Sequence, residues 1–197
     1  SGQSKSYAFC QPLTYHVSHL KMQAIYFEGL VFREFEDSDA ASFASAARES
    51  VETVGRWMPW CSATFSEQDA LDWFQACRTS LALGSAYEFG IFSESSAEFI
   101  GGVGLNSINH QHLFCNLGYW VRQTHQRRGV AYRSVRALVP HAFQALGLRR
   151  VEIVVAEGNA PSKAVALKAG AQLECVARNR LHIHGVSVPA TVFSMVP

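Results

Sequence analysis

Gln126-Arg127-Arg128-Gly129-Val130-Ala131 stands between an apolar run, Phe114 to Val121, and a helical stretch that starts at about Val130. The first backbone N–H groups of a helix have no intrahelical partner, and the helix dipole adds partial positive charge there. Gly129 lets a ligand approach the backbone closely. Such a strand–loop–helix start suits a pyrophosphate. No Asp or Glu occurs from Phe99 to Val151, whereas Arg122, Arg127, Arg128, Arg133, Arg136, Arg149 and Arg150 all fall in that stretch. Guanidinium forks match phosphate oxygens. The expectation is a phosphate-bearing ligand, with cations gathered around one helix start. The loop lacks the lysine and spacing of G-x-x-x-x-G-K-[ST] and the glycines of G-x-G-x-x-G, which argues against ATP and NAD.

Outward from the loop, the pattern alternates strands and helices. Residues 8–17 and 24–35 read as strands. Asp37 or Ser38 is placed to cap a helix reaching about Arg48, and Ser66-Glu67-Gln68-Asp69 opens a second. Strands at 87–92, 99–106 and 114–121 follow at short spacing and predict an antiparallel meander. The helix after the loop runs from about Val130 to Leu146 and ends at Gly147, with Pro140 expected to bend it. Val151 to Ala156 reads as a buried strand, 161–169 as a helix ending at Gly170, and 172–182 and 188–196 as closing strands. This order predicts an α+β (mixed α/β) fold in one domain over 1–197. Within it, 1–7 is a tag scar and tail, and 8–24 is an N-terminal extension strand.

Composition narrows the class. The 197 residues are 48% hydrophobic and 17% charged, with formal net charge +1. That is an ordinary globular balance, and it disfavours a general nucleic-acid binder. Neither a membrane-length apolar run nor a signal peptide is read here, and an odd number of widely spaced cysteines makes a reducing cytoplasm the expected location. Cys10, Cys61, Cys77, Cys115 and Cys175 form no C-x-x-C pair and read as packing residues. His110/His112 and His182/His184 are i,i+2 pairs without an obvious carboxylate or thiolate set, so no metal is expected.

The loop residues resemble the Q/R-x-x-G-x-G/A signature of the GNAT superfamily of N-acetyltransferases. Gly102-Val103-Gly104-Leu105-Asn106, Leu117-Gly118-Tyr119-Trp120-Val121, Leu146-Gly147-Leu148, and Asn159 with Ser162, Lys168 and Gly170 follow in order. Together with Trp57-Met58-Pro59-Trp60 and Trp73-Phe74, they are similar to the RimJ/RimL-like branch, the ribosomal-protein N-terminal acetyltransferases, over about residues 25 to 195. The resemblance implies a mixed, mostly antiparallel sheet of about seven strands with about four flanking helices. That sheet is splayed between its fourth and fifth strands, counted from the 24–35 segment, to admit acetyl-CoA. By the same resemblance, Tyr119, Trp120 and Val121 offer backbone groups to the pantetheine arm. Gln126, Arg127, Arg128, Gly129, Val130 and Ala131 hold the pyrophosphate. Asn159 contacts the cofactor or orients the thioester, and Ser162 protonates the leaving thiolate, which makes these two the catalytic candidates. Trp57, Met58 and Trp60 wall the acceptor side.

Each of these has a plainer reading. Asn159 or Ala160 caps a helix with Pro161 in its first turn, and the two Trp residues seal helices to the sheet. Three departures from the family pattern stand out. The fourth-strand glutamate that serves many relatives as a base is Asn116 here. That leaves as base a water held by His or backbone groups, or a residue from elsewhere, with His110, His112, His125 and His182 as candidates. Tyr132-Arg133 replaces Thr-Glu after the loop, and Ala171 replaces a Phe after Gly170. The expected partners are therefore acetyl-CoA and a primary amine, either a protein N-terminus or a small molecule. No nucleic acid, membrane or metal partner is expected, and the chain is a monomer or homodimer. A non-catalytic acyl-CoA-binding module is the alternative that the missing glutamate supports.

Overall fold

The computed structural model describes residues 22–197, so the tail, Cys10 and the strand read at 8–17 lie outside the described residues. The rest forms an eight-stranded sheet with α-helices against its faces. In chain order the elements are β1 (Ile25–Phe27), β2 (Leu30–Arg33), α1 (Ala40–Glu49), α2 (Glu67–Ala82), β3 (Tyr87–Ser93), β4 (Phe99–Asn109) and β5 (Phe114–Val121), then α3 (Val130–Gln144), β6 (Arg150–Ala156), α4 (Ala160–Lys168), β7 (Gln172–Ile183) and β8 (Val186–Met195). The sheet order is β1-β2-β3-β4-β5-β6-β8-β7. Every pairing is antiparallel except β5 with β6.

The segment read as one strand over 24–35 is instead the tight hairpin β1–β2. Glu28 and Gly29 take φ of 47° and 78°, the left-handed pair that a two-residue hairpin turn needs. The helix caps divide similarly. Ser66 caps α2, accepting from the Asp69 N–H, and the Asp69 carboxylate accepts from the Ser66 N–H. Before α1, neither Asp37 nor Ser38 caps. Both lie in a short 3₁₀ turn, and Asp39 braces it by accepting from the Glu36 N–H and from Arg33. Pro140 lies inside α3, which continues to Gln144.

Strand alternation assigns the two faces. Cys115, Leu117, Tyr119 and Val121 of β5 pack in the main core with Val135, Leu138 and Ala142 of α3. Trp120 points the other way, into an aromatic cluster under α1 and α2. Phe43 of α1 is the hub of that cluster, with ring centroids 5.2 to 5.8 Å from Phe35, Phe65, Phe74, Phe99, Trp60 and Trp120. Glycine floors this face: a Cβ on Gly102 would stand 2.6 Å from Trp120 Nε1. The strand read as buried at 151–156 is buried on one side only. Val151, Ile153 and Val155 are buried, while Glu152 and Val154 are half-buried.

Candidate functional site

The sheet is interrupted at its centre. β5 and β6 run parallel and pair only through Phe114↔Arg150, Cys115↔Val151 and Asn116↔Glu152. Beyond Asn116, β5 stays on β4 through Val121 while β6 stays on β8 through Ala156, so the sheet opens from Leu117 onward. The Arg122 N–H donates to the Ile100 carbonyl at 2.8 Å across to β4. By antiparallel alternation, the backbone groups of Trp120 then also face β4, while those of Leu117, Tyr119 and Val121 face the opening. Of the three residues expected to offer backbone groups there, Tyr119 presents its N–H and carbonyl and Val121 its N–H alone, its carbonyl being held by the Gln126 side chain, while the Trp120 backbone is occupied in the ladder.

At the mouth of this opening lies the 126–131 loop. Gly129 is the N-cap of α3 with φ 74°, Arg127 has φ 61°, and nothing within 4 Å would meet a Cβ on Gly129. The first intrahelical bond is from the Arg133 N–H to the Gly129 carbonyl, leaving the preceding N–H groups of the first turn pointing outward. The Gln126 side chain is committed to the fold. Its amide donates to the Val121 carbonyl at 2.9 Å and to Thr53 Oγ1 at 3.0 Å, and its backbone N–H donates to the Gln123 carbonyl at 3.3 Å, so Gln126 shapes the loop and offers no free N–H to a ligand.

A second anchor comes from the end of α1, which the sequence reading missed. Glu49 accepts from Arg122 at 2.5 Å and from the Thr124 N–H and hydroxyl at 2.9 and 2.7 Å. The Arg122 hydrogen bond, with help from Thr124, holds the Glu49 carboxyl down to about 2. Ser50 Oγ accepts from the Gln123 N–H at 3.0 Å.

The seven arginines do not form one basic face. Arg122 is neutralised by Glu49 and Glu98, and Arg150 by Glu152 and Glu174. Arg149 and Arg150 adjoin the start of β5, the end of that strand opposite the loop. An acid-free run in sequence is not an acid-free surface, because partners from outside the run fold onto it. Arg127 and Arg128 remain exposed at the loop, and Arg133 donates to the carbonyls of Glu28 and Arg128 at 2.6 and 3.3 Å. Tyr132 turns its ring under the Lys168 ammonium of α4, 4.8 Å away, which brings another cation to this end.

Across the opening, Tyr119 reaches the start of α4. Its hydroxyl lies 3.0 Å from Ser162 Oγ and donates to the Ser162 carbonyl at 3.2 Å. Burial pushes the Tyr119 phenol up to about 12, so it is a neutral hydroxyl at physiological pH. Asn159 Oδ1 accepts from the Ser162 N–H at 3.2 Å, the capping geometry of its plainer reading. Asn159, Ser162 and Tyr119 are thereby brought together. Trp57 arrives from the α1–α2 connector, with its Cη2 3.6 Å from where a Cβ on Gly158 would stand. Trp60 packs instead against Trp120, Phe43 and Phe65, and Met58 is half-buried in the connector turn.

Of the candidate bases, His110, His125 and His182 have partners other than Tyr119, Asn159 or Ser162, and so has His184. His110 bonds the Gly84 carbonyl, His125 sits by Glu98 and Thr124, His182 by Ser187, and His184 bonds the Gly55 carbonyl. Among the described residues no group of three or more His, Cys, Asp or Glu is arranged to hold a metal ion. Burial pushes the thiols of Cys61 and Cys115 up to about 11 and 12, which suits packing and not nucleophilic work. Ala171 is buried in the core. No helix among the described residues is long and apolar enough to cross a membrane.

Comparison with known proteins agrees with this geometry. The acetyltransferase (GNAT) domain model matches residues 29–172, well over half of the chain. The ribosomal-protein-serine acetyltransferase of Escherichia coli K12 is 33% identical over 115 residues, 58% of this chain and 63% of that one. A Vibrio cholerae structure described as "a putative ribosomal-protein-serine acetyltransferase" is 33% identical, covers 89% of this chain and 98% of its own, and has a TM-score of 0.80. The fold is also shared, at 20% identity and a TM-score of 0.81, with RimL, a ribosomal L7/L12 alpha-N-protein acetyltransferase solved with coenzyme A. That alignment covers 88% of this chain and 98% of RimL.

Proposed function

The chain belongs to the GNAT acetyltransferase family, and from that premise we propose that it transfers acetyl from acetyl-CoA to a primary amine, in the first place a protein or peptide N-terminal α-amine. The observation that carries this reading is the opening between β5 and β6, flanked by free strand backbone on one side and the uncapped start of α3 at its mouth. In this reading the pyrophosphate rests on the first-turn N–H groups of α3, with Arg127 and Arg128 over it. The pantetheine arm runs along β5 and takes hydrogen bonds from Tyr119 and Val121 in place of the absent β6 ladder. The names of the E. coli and V. cholerae relatives support a protein serine as acceptor, and the coenzyme A in RimL supports the donor.

The chemistry follows from these groups. The amine nitrogen attacks the thioester carbonyl, the new N–C bond forms, and the C–S bond breaks. A β5 N–H stabilises the charge that develops on the carbonyl oxygen. Ser162 Oγ delivers a proton to the departing sulfur, and the Tyr119 hydroxyl 3.0 Å behind it replaces that proton. The ammonium of the acceptor loses one proton to solvent before attack, and the nitrogen sheds a second as the amide forms; a proton returned through solvent restores the Tyr119 hydroxyl. Holding amine and thioester in one frame supplies much of the acceleration.

The test is thiol release from acetyl-CoA with Ser-, Ala- and Thr-starting peptides set beside polyamines, aminoglycosides and free amino acids, with a mass spectrum of each product. A 42 Da gain on a peptide α-amine is the expected result (the ~42 Da of any acetyl group). Release only with a small amine would reassign the acceptor. Silence with all of them, in a protein that binds acetyl-CoA, would favour a binding module.

A further inference from the structure

Asn116 occupies the place of the fourth-strand glutamate of many relatives, yet a carboxylate is connected to it. On the α1/α2 face, Asn116 Nδ2 donates to Asn106 Oδ1 at 3.0 Å, and Asn106 Nδ2 donates to Glu88 Oε1 at 3.2 Å. The chain of side chains crosses β5, β4 and β3 in one row. Room for it is built in: a Cβ on Gly104 would stand 1.7 Å from Glu88 Oε2, so the carboxyl lies flat over a bare stretch of β4. The far end is Asn116 Oδ1, which is shielded from solvent and has no hydrogen-bond partner among the described residues. Asn116 is also the last β5 residue paired with β6, so this oxygen lies where the sheet begins to open.

The direction of the chain depends on the charge of Glu88. An ionised carboxylate only accepts, so Asn106 must turn its NH₂ to Glu88 and its carbonyl to Asn116. Asn116 then turns its NH₂ to Asn106 and leaves its carbonyl free. We infer that Glu88 is a positioning residue for the acceptor: through Asn106 it fixes Asn116 Oδ1 as the acceptor of an N–H from the substrate amine at the opening. This rests on the acetyltransferase reading above. Two amides in series carry polarity and not a proton, so Glu88 orients the amine and does not deprotonate it.

The charge state is near its switching point. Burial raises the Glu88 carboxyl to about 7 against the opposing hydrogen bond from Asn106. Glu34 beyond β2 and Cys77 and Arg78 on α2 face the same narrow cavity. Arg78 is drawn off by Asp37 and Gln75, and Glu88 in turn helps raise the Cys77 thiol, so among the described residues no cation is paired with Glu88. Protonation of Glu88 frees the chain to reverse and to present an NH₂ to the amine.

The experiment uses the full chain, acetyl-CoA and a Ser-starting peptide across pH 5.5 to 9. Glu88→Gln and Asn106→Leu are each expected to raise the peptide KM about tenfold with the acetyl-CoA KM unchanged. Both should flatten the part of the acid limb of kcat/KM that the same peptide's own amine does not supply. The double variant should be no worse than either single one. Asn116→Asp in the Glu88→Gln background, which puts a carboxylate at the end of the chain, should restore the peptide KM. Wild-type turnover with an unchanged KM and pH profile in both single variants overturns this inference alone. Wild-type silence with every amine overturns it together with the acetyltransferase reading.

Discussion

The two sides of the β5 opening are assembled differently. On the α3 side, the candidate cofactor groups come from two short runs, 126–131 and 159–162, and from the backbone of the strand just before the first. On the α1/α2 side, the polar row takes one residue from each of three strands, and Trp57 comes from the connector between α1 and α2. One side is made of backbone geometry, which a local sequence dictates. The other is made of side chains that meet only when the sheet forms. Substitutions should therefore separate: changes on the α3 side act on acetyl-CoA affinity or on turnover, and changes on the α1/α2 side act on the acceptor.

The largest effect expected is from Gly129→Glu. It forces a side chain into a left-handed position and sets a carboxylate where the pyrophosphate rests. Acetyl-CoA binding should weaken by about 3 kcal/mol or more, roughly a hundredfold, in calorimetric titration. Unchanged affinity would break the assignment of the loop. Ser162→Ala comes next, with kcat expected to fall about ten- to a hundredfold while the acetyl-CoA Kd stays within about twofold. Equal turnover would return Ser162 and Asn159 to the capping geometry seen at α4.

Trp57→Ala should raise the acceptor KM roughly five- to twentyfold, about 1 to 2 kcal/mol of lost aromatic contact, with the acetyl-CoA KM unchanged. A change in acetyl-CoA KM instead would join the two sides that the comparison separates.

The smallest effect concerns stability. The Glu88 carboxyl is raised in the folded chain, so the folded state favours its protonated form. Its contribution is fully present below the ordinary carboxylate range and is lost as pH rises through about 7. Glu88→Gln removes that loss. The melting temperature should rise by a few degrees at pH 8, on the order of 2–4 °C per kcal/mol at this chain length, and by less at pH 5. A rise at pH 8 together with weaker acceptor binding would show a charge kept at the expense of stability.

Much of this was legible in the residues. The 126–131 loop, the helix starts at Ser66 and Asn159, and the meander from Tyr87 to Val121 all follow from spacing, capping and turn chemistry. The resemblance drawn from these motifs agrees with the domain match over 29–172. One departure was local, the Glu28–Gly29 turn that splits 24–35 into a hairpin; the others came from a partner distant in sequence. The acid-free window from Phe99 to Val151 suggested a basic cluster, but Glu49, Glu98, Glu152 and Glu174 divide it. Asp37 and Ser38 looked like caps, but the Asp39 carboxylate bound by Arg33 organises that turn. Glu88 carried no motif, and Asn106 entered only as the last residue of the Gly102–Asn106 run, with no role attached. A glutamate in an apolar strand opposite a glycine-rich one is the signal that could have found them.

What the sequence determined by itself is the family, the order of strands and helices, and the uncapped start of α3, because caps, turns and periodicity act over a few residues. What only the tertiary structure decided is which backbone groups of β5 stay free, which arginines stay unneutralised, and that a carboxylate two strands away is tied to Asn116. Those outcomes depend on register between separate strands and on packing of α1 beneath the loop. Neither is set by local interactions, since a shift of one residue in register would turn the whole row to the other face.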